Sequence, residues 1–227
     1  MTAKDMFSHR VSILTGHYGT GKTEVSVNLA LALAAEGEQV MLADLDIVNP
    51  YFRSRERRPL LEKAGVRVIS SSQACSDADV PALPAELLTI LENREIRGIL
   101  DIGGDPVGAR VLARFQPKIV QEDYQLIFVL NANRPEVRDA ESAAAYLRSI
   151  EAVTGLTCSG LVNNTHLCGE TTPAEIRKGV ALAQEVSRQT GIPILCHTAE
   201  RRFLESLSDL GEPVFPIAIN MKKPWEC

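Results

Sequence analysis

Residues 16–23 read GHYGTGKT. Gly16, Gly21, Lys22 and Thr23 fall on the fixed positions of the phosphate-cradling pattern G-x-x-x-x-G-K-[ST]. Glycines let a backbone curl until successive N–H groups point at one anion. A helix that starts at the end of such a loop adds the partial positive charge of its N-terminus. Gly16, Gly19, Thr20, Gly21, Lys22, Thr23 and Glu24 are therefore the expected nucleotide-binding set. Lys22 would reach the β- and γ-phosphates, and the Thr23 hydroxyl would be a Mg²⁺ ligand.

Three carboxylates follow the loop in order. Asp44 and Asp46 lie in ADLD, and Asp101 lies in ILDIGGD. A Mg²⁺·ATP site needs carboxylates near the metal, directly or through water, and a group that orients the attacking water. Gly103 and Gly104, just after Asp101, add a second element, because a glycine amide can sense the γ-phosphate and move when it leaves. An aspartate at a strand end is often only a turn former. Three of them, in this order behind a phosphate loop, read as a site.

These residues must be placed by strands and helices. Residues 11–15 read as a short buried strand and 24–36 as a helix with Val25, Leu29, Ala32 and Leu33 on one face, Gly37 falling at its C-terminal cap. Further strands are expected at 40–43, 66–69, 98–100, 126–130, 160–162 and 193–196. Helices are expected at 83–94, 108–122, 138–153, 172–189 and 200–210, with loops at 49–58 and 70–79. This alternation implies an α/β fold: one doubly wound, mostly parallel sheet with helices on both faces, in a single domain spanning residues 1–227. Ligands of such sheets bind outside the carboxyl ends of the strands, where the chosen acids and amides fall.

Composition narrows the class. The chain has 227 residues, 45% apolar and 23% charged, as expected for a soluble globular protein. The 24 basic and 29 acidic residues give a net charge of −5, which gives no overall attraction to nucleic acid or to an anionic membrane. There is no apolar run of membrane-spanning length and no signal-peptide core in MTAKDMFSHR, so a cytoplasmic protein is expected. Cys75, Cys158, Cys168, Cys196 and Cys227 form no C-x-x-C pair and are expected to be free thiols.

The order GxxxxGKT, then DLD, then DIGG resembles the MinD/ParA/CobQ-type nucleotide-binding family, a deviant P-loop (SIMIBI-class) NTPase group with chromosome-partitioning and metal-insertion ATPases among its members. The similarity continues in Pro135, Glu136, Val137, Arg138 and Asp139, in Gly160, Leu161, Val162, Asn163 and Asn164, and in Gly211, Glu212, Pro213 and Val214. It implies that Asp44 and Asp101 are the acids near Mg²⁺, that Asp46 orients the attacking water, and that Asn164 reads adenine. A register shifted by one would exchange Asn164 for Asn163. Neither Asn131-Ala132-Asn133-Arg134 nor Asn163-Asn164-Thr165-His166 fits the guanine signature N-K-x-D, so ATP is expected over GTP. Family members can also form a homodimer across ATP.

The chain departs from the family at three points. His17 stands where many members carry a signature lysine that reaches across a dimer, and histidine is only partly charged near neutral pH. The tail NMKKPWEC is too short for a membrane-targeting amphipathic helix. The C-x-x-C of the iron–sulfur carriers is missing. Residues 49–58, from Asn49 to Arg58, read NPYFRSRERR. Tyr51 and Phe52 beside Arg53, Arg55, Arg57 and Arg58 either grip an anionic or planar client or form a solvated loop paired with Glu56 and Glu62. His166, Cys168 and Glu170 read as a loop beside the base, and Cys196 and His197 as core or base-pocket packing.

The expected activity is thus Mg²⁺-dependent ATP binding with slow, switch-like hydrolysis coupled to a protein or cofactor client. Lys22, Asp46 and Asp101 would serve turnover, Thr23, Asp44 and Asp101 the metal, and Gly103, Gly104 and Asp105 the second switch. The alternatives are a ligase resembling dethiobiotin synthetase, with the arginine-rich loop holding its small substrate, and a DNA-partitioning ATPase, to which the net charge gives little support.

Overall fold

The computed structural model describes residues 1–46, 57–70 and 85–221. The chain enters through a single helical turn, α1 (Ala3–Met6), and β1 (Val11–Thr15), then passes through the glycine loop into α2 (Lys22–Ala35) and β2 (Gln39–Leu45). Next come α3 (Arg58–Lys63), β3 (Arg67–Ser70), α4 (Ala85–Glu92) and β4 (Ile96–Ile102). The short helices α5 (Pro106–Ala109) and α6 (Gln116–Ile119) lead to β5 (Tyr124–Leu130). The chain ends with α7 (Ala140–Thr154), β6 (Cys158–Asn163), α8 (Pro173–Thr190), β7 (Ile194–Glu200) and β8 (Val214–Ile217). The strands form one sheet in the order β3-β2-β4-β1-β5-β6-β7-β8, and all their pairings are parallel.

Parallel neighbours need crossovers, and the crossing helices cover both faces. Side-chain alternation sorts the central strands accordingly. In β5, Leu126, Phe128 and Leu130 enter one core layer and Ile127 and Val129 the other. Leu29 and Leu33 of α2 and Leu61 of α3 share the second layer, while Leu87, Ile90 and Leu91 of α4, Leu147 of α7 and Val186 of α8 share the first. β1 lies between β4 and β5. Chain progression diverges there, so the glycine loop that leaves β1 opens at the sheet's switch point.

Helix α2 differs from the expected one-sided amphipathic helix. Six consecutive residues, Val25, Ser26, Val27, Asn28, Leu29 and Ala30, are all buried. The segment after β8 covers the face that would otherwise meet solvent. The Asn28 amide donates to the Ala218 carbonyl at 2.9 Å and accepts from the Ala218 N–H at 2.8 Å. The Glu24 carboxylate accepts from the N–H groups of Asn220 and Met221 at 2.8 and 3.0 Å.

Other expectations need correction. The helix expected at 108–122 is broken into α5, a 3₁₀ stretch (Arg110–Arg114) and α6; Pro117, which lacks an N–H, fits only the first turn of α6. The helix expected at 200–210 is two 3₁₀ turns, Arg201–Phe203 and Glu205–Leu207. Ser206 and Ser208 donate back to the carbonyls of Phe203 and Glu205 at 2.7 and 2.8 Å, the local bonding by which serine competes with helix. β8 was not expected, because VFPI is short and carries Pro216, tolerable only on an edge strand. α1 was not expected either, and neither was α3, in which Arg58 stands at the first position and Pro59 follows within the first turn. The remainder of the expected client loop, residues 49–56, and most of the loop at 70–79 lie outside the described residues.

The Asn28 clamp gives a test of the tail's contribution. Asn28→Ala removes both hydrogen bonds to Ala218, whose carbonyl keeps only the Asn220 side-chain amide at 3.1 Å, and should lower the unfolding free energy by about 1 kcal/mol in urea titrations. A loss within error of zero would mean that the tail does not stabilise α2.

Candidate functional site

The phosphate loop is built by backbone geometry. Gly21 is the N-cap of α2 with φ +84°, in the left-handed region that side chains resist, and a Cβ there would lie 2.2 Å from Asn164 Nδ2. The first-turn N–H groups of Lys22, Thr23 and Glu24 have no intrahelical acceptor, so they face whatever the loop encloses. Thr20 donates to the His17 carbonyl through its N–H at 3.2 Å and its hydroxyl at 2.9 Å, and Lys22 Nζ donates to the same oxygen at 3.3 Å. Thr20 thus closes the loop on itself. The Glu24 carboxylate is turned away toward the C-terminal segment, so at the loop Glu24 offers only its backbone N–H.

The carboxylates meet on one side of the sheet. Asp44 and Asp101 are register partners on β2 and β4. By alternation they share the face of Leu42 and Ile99, on which α2 packs. Asp101 is 1% exposed, Asp44 4% and Lys22 6%. Neither carboxylate oxygen of Asp101 has a hydrogen-bond partner. Burial and then the neighbouring charge of Asp44 push the Asp101 pKa up, against Lys22 and the Thr23 hydroxyl, which lower it. Burial lowers the Lys22 pKa while Asp101, Asp46 and Asp105 hold it up. Asp46 follows β2 and donates its N–H to Asp44 Oδ1 at 3.3 Å. An orphaned buried carboxylate beside a second one and a threonine hydroxyl fits a divalent cation. Among the described residues no group of three or more His, Cys, Asp or Glu is arranged to hold a metal alone. Mg²⁺ would therefore be shared with substrate phosphates and water.

The DIGG segment lies against the phosphate loop. A Cβ on Gly104 would lie 2.7 Å from Lys22 Nζ and 2.8 Å from the Tyr18 amide nitrogen, so only glycine fits against the loop. Asp105 accepts the Gly108 N–H at 2.8 Å. The Gly104 carbonyl accepts a hydrogen bond from the Tyr146 hydroxyl, and the Tyr146 ring meets His17 edge-on at 4.9 Å. His17 Nδ1 lies 3.8 Å from Glu136.

The end of β6 separates the two asparagines. Asn163 is a brace: its oxygen accepts from the Thr165 N–H at 3.0 Å and its amide donates to His197 Nδ1 at 3.2 Å. Asn164 donates to the Thr20 carbonyl at 2.8 Å and accepts from the Thr198 hydroxyl at 2.5 Å. It also lines a small recess with His166, Ile176, Ala199 and Ile217. His197 and Cys196 are fully buried packing residues.

Two contributors had no assigned role in the sequence. Arg134 donates from Nε to the Gly19 carbonyl at 2.7 Å, and Tyr146 reaches Gly104. Neither belongs to a motif, and only the fold brings them to the loop. His166 accepts the Cys168 N–H at Nδ1 over 3.3 Å. Burial, and then the nearby Arg134, push its pKa down to about 4.

Parts of this chain are similar to known proteins. Residues 6–54 match the family profile described as ParA, NUBPL iron-transfer P-loop NTPase. The cytosolic Fe-S cluster assembly factor cfd1 of Emericella nidulans is 36% identical over 95 residues, 42% of this chain and 26% of that protein. The iron-sulfur cluster carrier protein of Escherichia coli is 50% identical over 40 residues, 18% of this chain and 11% of that protein. The matches therefore span about a quarter or less of these relatives' length. Among solved structures, the cell division protein FtsY of Thermotoga maritima aligns with a TM-score of 0.56 at 23% identity, covering 81% of this chain and 59% of that one. The 54 kDa signal recognition particle protein of Aeropyrum pernix, in complex with GDP, aligns with a TM-score of 0.52 at 22% identity, covering 82% and 40%. The chain thus carries a MinD/ParA-type phosphate-loop segment on a P-loop NTPase fold. No helix among the described residues is long and apolar enough to cross a membrane.

The shielding of His166 has a pH signature. Its pKa falls from 6.5 to about 4 on folding, so the folded state binds fewer protons. The associated stability is present above pH 6.5 and is lost as the pH falls toward 4. His166→Asn should therefore shrink the drop in Tm between about pH 7 and about pH 4.5. An equal drop in parent and variant would mean that the ring is not shielded.

Proposed function

On this MinD/ParA-type P-loop fold, we propose a Mg²⁺-dependent ATPase that hydrolyses slowly and acts as a switch for a protein or cofactor client. The observation that carries this reading is Asp101, buried with both oxygens unpartnered, beside Asp44 and facing Lys22 and Thr23 at the start of α2. Thr23, Asp44 and Asp101 would hold Mg²⁺, which supplies neutralisation of phosphate charge when bound. Lys22 would pair with the β- and γ-phosphates. In hydrolysis a water oxygen bonds to the γ-phosphorus as the bond to the bridging oxygen breaks, giving ADP and phosphate. The chain's share is orientation and charge: Asp46 would orient the water, and Gly103, Gly104 and Asp105 would form the segment that responds to the γ-phosphate. Asn164 at the recess would read adenine, a preference that rests on the missing N-K-x-D signature.

The relatives' names speak of iron–sulfur assembly and carriage. The family profile's match, residues 6–54, lies around the phosphate loop, which supports a common nucleotide switch more than a common cluster site. In this chain burial pushes the Cys158 thiol up to about 12 and the Cys196 thiol higher still, which suits packing better than ligation. We therefore propose that the chain is the nucleotide-driven component in maturation of a protein-bound cofactor, with the client contacting residues 49–58. At the end of that stretch Arg58 lies 3.7 Å from Glu62 on α3.

Calorimetry with Mg²⁺ should give tighter binding of ATP than of GTP; equal or tighter GTP binding would sink the adenine assignment. Lys22→Ala should weaken ATP binding by about tenfold or more, since a charge-assisted contact is lost. Asp46→Ala should keep the ATP affinity within a few-fold but lower kcat by about a hundredfold. Turnover at the parent rate would move the water-orienting role elsewhere.

A further inference from the structure

One contact of the Gly103–Asp105 segment comes from outside every motif. Tyr146 lies on α7, whose buried face carries Ala143, Ala144 and Leu147. The tyrosine ring packs at 6.3 Å from Phe128, a fully buried residue of β5. The ring edge meets His17 at 4.9 Å with the planes 64° apart, in the range where aromatic pairs attract. The hydroxyl then donates to the Gly104 carbonyl. A single side chain, anchored on the rigid sheet, therefore touches both the phosphate loop and the glycine that lies against Lys22.

We propose that Tyr146 is a positioning residue for nucleotide hydrolysis, fixing the Gly104–Asp105 peptide relative to the phosphate loop within one chain. The proposal rests on the ATPase reading given above. A peptide unit is planar, so holding the Gly104 carbonyl also sets the direction of the Asp105 N–H. It sets as well how closely Gly104 sits on Lys22 Nζ, where a Cβ would come within 2.7 Å. Position 17, a signature lysine in many MinD/ParA-type proteins, is used here to hold the same tyrosine from the loop side. The contact persists at physiological pH, because burial, and then Asp105, push the Tyr146 phenol up to about 12, leaving it a donor. Tyr146 touches neither phosphate nor metal ligand directly; its effect on the reaction passes through Gly104.

The test uses the full chain and separates rate from affinity. Tyr146→Phe keeps the ring and its packing but deletes the donor. It should leave the Kd for ATP within about twofold and slow single-turnover hydrolysis about tenfold, the effect of one lost hydrogen bond. Hydrogen exchange of residues 103–105 should become faster. His17→Ala should slow hydrolysis as well. The double variant Tyr146→Phe/His17→Ala should lose less than the product of the two single losses, because both act on one contact. Hydrolysis by Tyr146→Phe at the parent rate overturns the proposal, as does a loss of affinity equal to the loss of rate, which would make the tyrosine an ordinary brace. A parent protein that binds no ATP, or does not hydrolyse it, overturns the ATPase reading and this proposal together. A parent that turns over, alongside an unaffected Tyr146→Phe, overturns this proposal alone.

Discussion

Two carboxyl groups are held side by side at the centre of this protein. Neighbouring parallel strands run about 4.8 Å apart, and the register of β2 and β4 makes Asp44 and Asp101 partners on the same face. Both are buried. A buried carboxylate without hydrogen bonds is costly, and an adjacent one raises the cost further. Lys22 opposes this from the first turn of α2. The arrangement is poor for stability alone and well suited to a cation carried in with phosphate. The sheet and the loop glycines then have a common role: they hold three ionisable groups where water would otherwise solvate them.

That demand explains why α2 is buried almost all round. A helix whose N-terminus must stay fixed against a charged site gains from support on every side. The sheet supports it through Leu29 and Leu33, and α3 adds Leu61 to the same layer. The segment after β8 supplies the remainder through Asn28 and Glu24. The C-terminal part of the chain thereby reaches the first turn of the helix that carries Lys22 and Thr23.

The loop is also held from its far side. Arg134 after β5 and Asn164 after β6 both donate to loop carbonyls, those of Gly19 and Thr20. Thr198 from β7 fixes the other end of the Asn164 amide. Three consecutive strands of the sheet thus contribute to the backbone shape of one loop. Asn164 both holds the phosphate loop and lines the adjacent recess.

The sequence by itself determined the loop, the acids and the sheet. GHYGTGKT admits few backbone paths, and continuous apolar runs such as LIFVL in β5 announce strands buried on both faces. The helices expected at 138–153 and 172–189 fell within a residue or two of their places, and Asp139 and Gly155, or Thr172 and Gly191, cap their ends locally. Where local and tertiary preferences competed, the sequence was a poor guide. Residues 108–122 and 200–210 look helical, yet proline and back-bonding serines break them into short turns. VFPI becomes a strand only because β7 offers it an edge. The site's outer contacts were equally hidden, since Tyr146 is 42 positions from Gly104 and Arg134 is 115 from Gly19. Asn163 and Asn164 are neighbours of the same type, and only the fold assigns one to brace α8 and β7 and the other to face the phosphate loop. Spacing along a chain encodes what a residue does to its own backbone; which distant groups it meets is decided when the sheet closes and burial selects one register.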